Sequence, residues 1–298
     1  MSLPSRLDSQ QRQGAAQDAA PDERPILQVR NLNKRFGDGC AHCLPAHVEH
    51  PGNRCPRCGS VQACIDLNFD LYPGEILGVV GESGSGKSTM VRSLYFDEDA
   101  TSGEMFISSC KNGESNLLAE SAQQKRYIRN HVMGMVYQNP YLGLRMSYSS
   151  SGNIAEKLFA ADHFHVGRIR ERAAELLGRV EIPLGRMDEP PKRFSGGMQQ
   201  RVQISKALAN NPPLLLLDEV TTGLDLSVQA RVLDLIRSLR RELKVAMVVV
   251  SHDLGVIRML ADRTMVLRQG RIIEMGLTDQ ILEDPQHAYT QLLVHSLL

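Results

Sequence analysis

The stretch Gly81-Glu82-Ser83-Gly84-Ser85-Gly86-Lys87-Ser88 constrains this chain more than any other. It completes the pattern G-x-x-x-x-G-K-[ST], follows an apolar run at 75–80 and leads, through Thr89, into residues 89–94, which read as a helix. Strand, glycine-rich loop and helix in that order build a cradle for phosphates. The glycines let the backbone turn inward with no Cβ in the way, so that successive N–H groups point at an anion lodged on the helix N-terminus. Lys87 reaches the β- and γ-phosphates, and the Ser88 hydroxyl is placed to ligate Mg²⁺. A chain built around this loop binds a nucleoside triphosphate.

The surrounding sequence indicates an α/β core. Alternation at 25–30 and 61–71, and apolar runs at 75–80, 132–138, 214–217 and 245–250, predict strands. Helical periodicity is carried by 154–180, by 227–243 and by 254–260. Strands alternating with helices imply a mainly parallel sheet covered on both faces. Residues 1–24 show no apolar periodicity and read as a flexible leader before a single domain over 25–298, with a helical subdomain at about 140–205.

Composition narrows the class further. With 34 basic and 34 acidic residues the formal net charge is +0, which argues against nucleic acid held by bulk charge. No apolar run reaches the roughly 18 residues a membrane span needs, and the N-terminus lacks a hydrophobic signal segment. A cytoplasmic protein is expected.

A second half of the nucleotide site follows at Leu214-Leu215-Leu216-Leu217-Asp218-Glu219, where a buried strand delivers carboxylates beside the phosphate loop. Asp218 suits the Mg²⁺ shell, and Glu219 suits a general base acting on the water that attacks the γ-phosphate. Phe194-Ser195-Gly196-Gly197-Met198-Gln199-Gln200-Arg201 then places two glycines after a serine at the start of a predicted helix over 198–208, a second anion-binding helix end.

This last segment resembles the signature of ATP-binding-cassette ATPases, and the resemblance runs from about Ile26 to Leu298. It implies an α/β cassette-type P-loop ATPase with a mainly parallel core sheet, an antiparallel β subdomain and an α-helical subdomain. It also implies ATP as substrate, sandwiched in a head-to-tail dimer, either a homodimer or a pair with another cassette subunit, in which Ser195, Gly196 and Gly197 grip the γ-phosphate bound by the opposite copy. Gln138 matches the glutamine that senses Mg²⁺ and the attacking water, Asp225 the dimer-interface loop, and His252 the histidine that contacts the γ-phosphate. Phe36 is the candidate for stacking on adenine. Val220 departs from the pattern, since family members commonly carry proline there; the change affects loop stiffness, while Glu219 is retained.

Three stretches narrow the resemblance: 143–154, 180–201 and 276–293 are similar to the ATP-binding subunits of carbon-phosphorus lyase systems for phosphonate breakdown. That implies soluble lyase core subunits as partners. The stretch 284–293 also resembles ATPases of oligopeptide and nickel importers, but the chain stops at Leu298 without the Cys-bearing extension common in those proteins. A third reading, a docking module with negligible hydrolysis, is opposed by the presence of Glu219 and His252.

Six cysteines are present, and Cys40, Cys43, Cys55 and Cys58 form two C-x₂-C units inside a Cys/Pro/Gly-rich insertion at 38–60. The spacing is close to that of four-cysteine zinc ribbons, so a structural Zn²⁺ with no open coordination position is expected, with an iron-sulfur cluster or unliganded thiols as alternatives. His42, His47 and His50 are read as solvated loop residues that are able to replace a sulfur. Cys64 and Cys110 stand alone and are expected to be buried.

Overall fold

The computed structural model describes residues 24–43 and 52–296; the proposed leader up to residue 23, His47 and His50 lie outside them. In chain order the strands are β1 (Leu27–Phe36), β2 (Val61–Leu71), β3 (Ile76–Val80), β4 (Ser102–Ile107), β5 (Met133–Val136), β6 (Leu214–Asp218), β7 (Ala246–Val250), β8 (Arg263–Arg268) and β9 (Arg271–Leu277). The helices are α1 (Lys87–Leu94), α2 (Ala122–His131), α3 (Pro140–Gly143), α4 (Ser150–Phe159), α5 (Val166–Arg179), α6 (Gly196–Ala207), α7 (Leu226–Leu243), α8 (Leu254–Leu260), α9 (Thr278–Glu283) and α10 (Ala288–His295).

Two sheets result. The larger has the order β5-β6-β7-β3-β8-β9, parallel except for β9, which pairs antiparallel with β8. The smaller, β2-β1-β4, is antiparallel and carries the insertion at the tip of its first hairpin. Strand β6 shows why the leucine run is continuous. Leu215 and Leu217 pack into one core with α4 to α8, while Leu214 and Leu216 pack into the other with β1, β2, β4 and α1. A strand buried on both faces has no polar side to present, and each leucine it buries contributes about 1.5–3 kcal/mol.

Sheet topology also locates the site. Asp218 pairs with Val250, and Val79 pairs with Val250 from the other side, so β6, β7 and β3 end together. Their carboxyl ends carry Asp218 and Glu219, His252, and the phosphate loop, which is where open α/β sheets bind ligands.

The helical periodicity at 154–180 resolves into two helices, α4 and α5. The chain breaks between them at Asp162, whose φ of 62° is incompatible with a continuing helix.

Helix α4 is fastened to the core by the buried Lys157, whose ammonium donates to the Arg129 carbonyl and to the Tyr95 hydroxyl at 3.3 Å. Burial, with Lys206 and Arg129 nearby, lowers its pKa from 10.5 to about 8. The folded state therefore releases this proton while the unfolded chain still holds it, so stability rises as pH climbs from about 8 to 10.5. Urea titrations at several pH values check this. The wild type should gain on the order of 3 kcal/mol over that window relative to Lys157→Met, and parallel curves would remove Lys157 as the cause.

Candidate functional site: a nucleotide site and a cysteine cluster

The phosphate loop is held open by its own backbone. Gly81 and Gly86 have φ of 147° and 108°, and a Cβ on either would lie 2.1 Å from a carbonyl oxygen, that of Leu267 or Ala63. Glu82, Ser83 and Gly84 form the exposed tip, and Ser88 and Thr89 lie in the first turn of α1. Lys87 is buried and donates to the carbonyls of Gly81 at 2.7 Å and Glu82 at 2.9 Å. Burial lowers its pKa, opposed by the charges of Glu219, Asp218 and Glu82.

Ser88 donates to Asp218 Oδ1 at 2.7 Å. Asp218 is fully buried, its pKa is raised by burial, and its other oxygen, Oδ2, has no hydrogen-bond partner among the described residues; neither does Ser85 Oγ in the loop above. A buried carboxylate oxygen left without a donor is costly unless something cationic belongs beside it. The donor set of Ser88 and Asp218, all oxygen, fits Mg²⁺.

Glu219 has a left-handed backbone, φ 48°, and is tied by its amide to the Val250 carbonyl at 3.0 Å. Its Oε2 receives Gln138 Nε2 at 3.0 Å and Thr222 Oγ1 at 3.2 Å, and His252 Nδ1 lies 3.2 Å away. One carboxylate oxygen thus gathers the ends of β5, β6 and β7. Val220, in the place of the family's proline, is buried in the core.

Gln138 is positioned by the helix that follows the signature. Gln200 donates to the Gln138 carbonyl at 3.0 Å, and Gln203 both donates to the Tyr137 carbonyl at 3.0 Å and accepts from the Tyr137 amide at 2.8 Å. Ser195 caps α6, accepting from Met198 N, while a Cβ on Gly197 would strike Val228 of α7 at 2.2 Å. Asp225 caps α7, accepting from Val228 N at 3.0 Å and Ser227 Oγ at 2.7 Å. Signature turn and Asp225 loop therefore form one ridge. Among the described residues no hydrogen bond joins that ridge to Lys87, Ser88 or Asp218. Phe36 ends β1 at 41% exposure, with the Lys34 ammonium 4.7 Å from its ring centroid.

Some contributors escape the sequence reading. The Tyr289 hydroxyl accepts from the Glu82 amide at 3.0 Å, and the Arg268 guanidinium lies over the Tyr289 ring at 4.6 Å. Gly270 donates to the Ser85 carbonyl at 2.8 Å. The only sequence signals were the aromatic in 284–293 and the Gln269-Gly270 turn.

Cys40, Cys43, Cys55 and Cys58 bring all four sulfurs within 4.8 Å of one another, with separations of 3.7, 3.8 and 3.5 Å along Cys40–Cys43, Cys40–Cys55 and Cys43–Cys58. A tetrahedral ion with bonds of about 2.3 Å holds its sulfurs about 3.8 Å apart, so the cluster suits a single ion. The Ser60 hydroxyl and then its backbone amide hold the Cys58 thiol down to about 6, the range in which thiolate prevails at neutral pH. Cys64 and Cys110 are buried, and burial raises both, Cys64 to about 12.

Fold and site together define a P-loop ATPase of the ATP-binding-cassette class. The chain belongs to the ABC transporter family, which matches residues 64–222. It is 50% identical over 275 residues to the phosphonates-utilization ATP-binding protein PhnK of Escherichia coli, covering 92% of this chain and 98% of that protein. It is 41% identical to a peptide import ATP-binding protein of Brucella abortus, covering 92% of this chain and 77% of that protein. Among solved structures it resembles the dimeric, ADP- and Pi-bound post-hydrolysis state of the ATP-binding cassette MJ0796, with TM-score 0.71 and 27% identity over 85% of this chain and 99% of that one. No helix among the described residues is long and apolar enough to cross a membrane.

Proposed function

We propose that this chain is the ATP-hydrolysing subunit of a cytoplasmic phosphonate-utilisation system that works with soluble carbon-phosphorus lyase subunits. The observation that carries the reading is the 50% identity to PhnK across 98% of that protein. Residues 25–298 act as one cassette. Phe36 stacks on the adenine, Gly81 to Thr89 wrap the phosphates, and Lys87 neutralises the β- and γ-phosphoryl oxygens. Ser88, Gln138 and Asp218 would hold Mg²⁺, which when bound neutralises charge developing on the phosphate oxygens. Glu219 takes a proton from the water that attacks the γ-phosphorus as the bond to the bridging oxygen breaks, releasing ADP and phosphate. Gln138 orients that water, and His252 approaches the γ-phosphate from β7. A second copy, docked head to tail, supplies Ser195, Gly196 and Gly197, with Asp225 at the shared interface.

The cysteine cluster holds structural Zn²⁺ through Cys40, Cys43, Cys55 and Cys58, which fill its coordination and leave no catalytic position. Nucleotide state reaches the partner through the face from Gln138 to Arg145, where Tyr141 and Leu142 are exposed.

The importer reading is supported by the 41% identity to the peptide import protein over 92% of this chain. Affinity purification from the native cells grown on a phosphonate as sole phosphorus source separates the two. Soluble lyase subunits among the recovered proteins are the expected outcome, and an integral-membrane permease with its binding protein would overturn it.

A further inference from the structure

The cysteine cluster and the nucleotide site are joined by three consecutive residues. Val61 pairs with Phe36, the adenine candidate, across β1 and β2. Gln62 is bound to both halves of the cluster: its amide donates to the Asn53 carbonyl at 2.7 Å, and its Nε2 donates to the Cys43 carbonyl at 3.2 Å. Ala63 lies against the phosphate loop, its carbonyl oxygen 2.1 Å from where a Cβ on Gly86 would stand.

There is little slack around this segment. Gly270 donates to the Ser85 carbonyl at 2.8 Å and accepts from Ile65 N at 2.7 Å, and a Cβ on it would lie 2.8 Å from the Gln62 carbonyl. On the opposite side Ser60 Oγ accepts from Gly39 N at 3.1 Å, sits 3.2 Å from Cys58 Sγ, and would meet a Cβ on Gly37 at 2.8 Å. Ser60 and Gly37 thus connect the cluster to Phe36, and Gln62 and Ala63 connect it to Gly86.

We propose that the metal held by Cys40, Cys43, Cys55 and Cys58 sets the protein's affinity for ATP, with Gln62 as the positioning residue between the two sites. The proposal rests on the reading of that cluster as a metal site. The ion closes the segment between β1 and β2 by joining its two halves, and metal binding in such small units is folding free energy. Without it the tip of the hairpin bears the entropy of an open insertion, and the positions of Phe36 and Ala63 relax with it. Coupling between binding sites is reciprocal, so ATP tightens retention of the ion by the same factor.

The test uses the full chain, with zinc content measured by mass spectrometry and the Kd for Mg-ATP by calorimetry. Four samples are compared: wild type, wild type stripped with a chelator, stripped protein given zinc back, and Gln62→Ala. The expected result is stoichiometric zinc in wild type and in Gln62→Ala, with ATP bound at least about fivefold more weakly by the stripped protein and by the variant, and affinity recovered when zinc is restored. Zinc-loaded wild type whose stripped form and Gln62→Ala both bind ATP equally well would overturn the coupling and leave the metal site standing. A protein that carries no metal as purified and binds ATP tightly would overturn both.

Discussion

Replacing Glu219 with glutamine should leave ATP bound and lower the hydrolysis rate by about 10²–10⁴-fold, the range over which a positioned general base contributes. Glutamine matches glutamate in size and carries an acceptor oxygen, so the contacts from Gln138 at 3.0 Å and Thr222 at 3.2 Å can be kept after a flip of the amide. The left-handed backbone at φ 48° and the amide bond to the Val250 carbonyl do not depend on the side chain's charge. Only the capacity to take a proton is lost. Single-turnover phosphate release, measured beside the Kd for ATP, separates the two effects. A variant releasing phosphate at the wild-type rate would mean that the proton goes elsewhere, and His252, 3.2 Å from Glu219 Oε2, would be the group to replace next.

What the sequence disclosed, and what it hid, follows from the range of the interactions involved. Strand β2 runs over the residues its alternation marks, β3 and β7 fall within their apolar runs, and β6 covers its leucine run and extends one residue further to Asp218, because burial writes itself directly into side-chain type. Strand β4 is silent: Gly103 and Glu104 interrupt it, and its pairing with β1 decides its conformation. The break at Asp162 is equally invisible, since the flanking residues keep helical spacing on both sides.

The site shows the same division. Phosphate loop, acidic strand end and signature turn are local patterns and were readable as such. That Gln138 and His252 approach the same oxygen of Glu219 depends on β5, β6 and β7 ending side by side, which no window of sequence contains. Tyr289 reaches Glu82 across 207 residues, and both Gly86 and Gly270 of the β8–β9 turn lie close against the carbonyl of Ala63. The cysteine spacing marks a metal-ligating cluster, while the hydrogen bonds by which Gln62 of β2 holds Asn53 and Cys43 are not legible in it.

Two alanine substitutions in the phosphate loop should behave very differently. At Gly86 the φ of 108° strains any side chain, and the added Cβ would stand 2.1 Å from the Ala63 carbonyl oxygen, a rigid backbone atom of β2. Strand and loop must part, so Gly86→Ala should lose about 1–3 kcal/mol to overpacking and a further 1–2 kcal/mol to the left-handed backbone. Because the displaced segment carries the amide groups proposed to face the phosphates, ATP binding should fall below detection. Gly84 has a φ of 81°, but a Cβ there meets no protein atom within 4 Å. Gly84→Ala should therefore cost only the backbone strain of about 1–2 kcal/mol and leave the fold in place. Urea denaturation and calorimetric titration with Mg-ATP on both variants distinguish the contributions. Equal destabilisation would show that the contact with Ala63 is not tight. Lost ATP affinity in Gly84→Ala at nearly unchanged stability would instead place the phosphates directly over that glycine, where only a residue without a Cβ admits them.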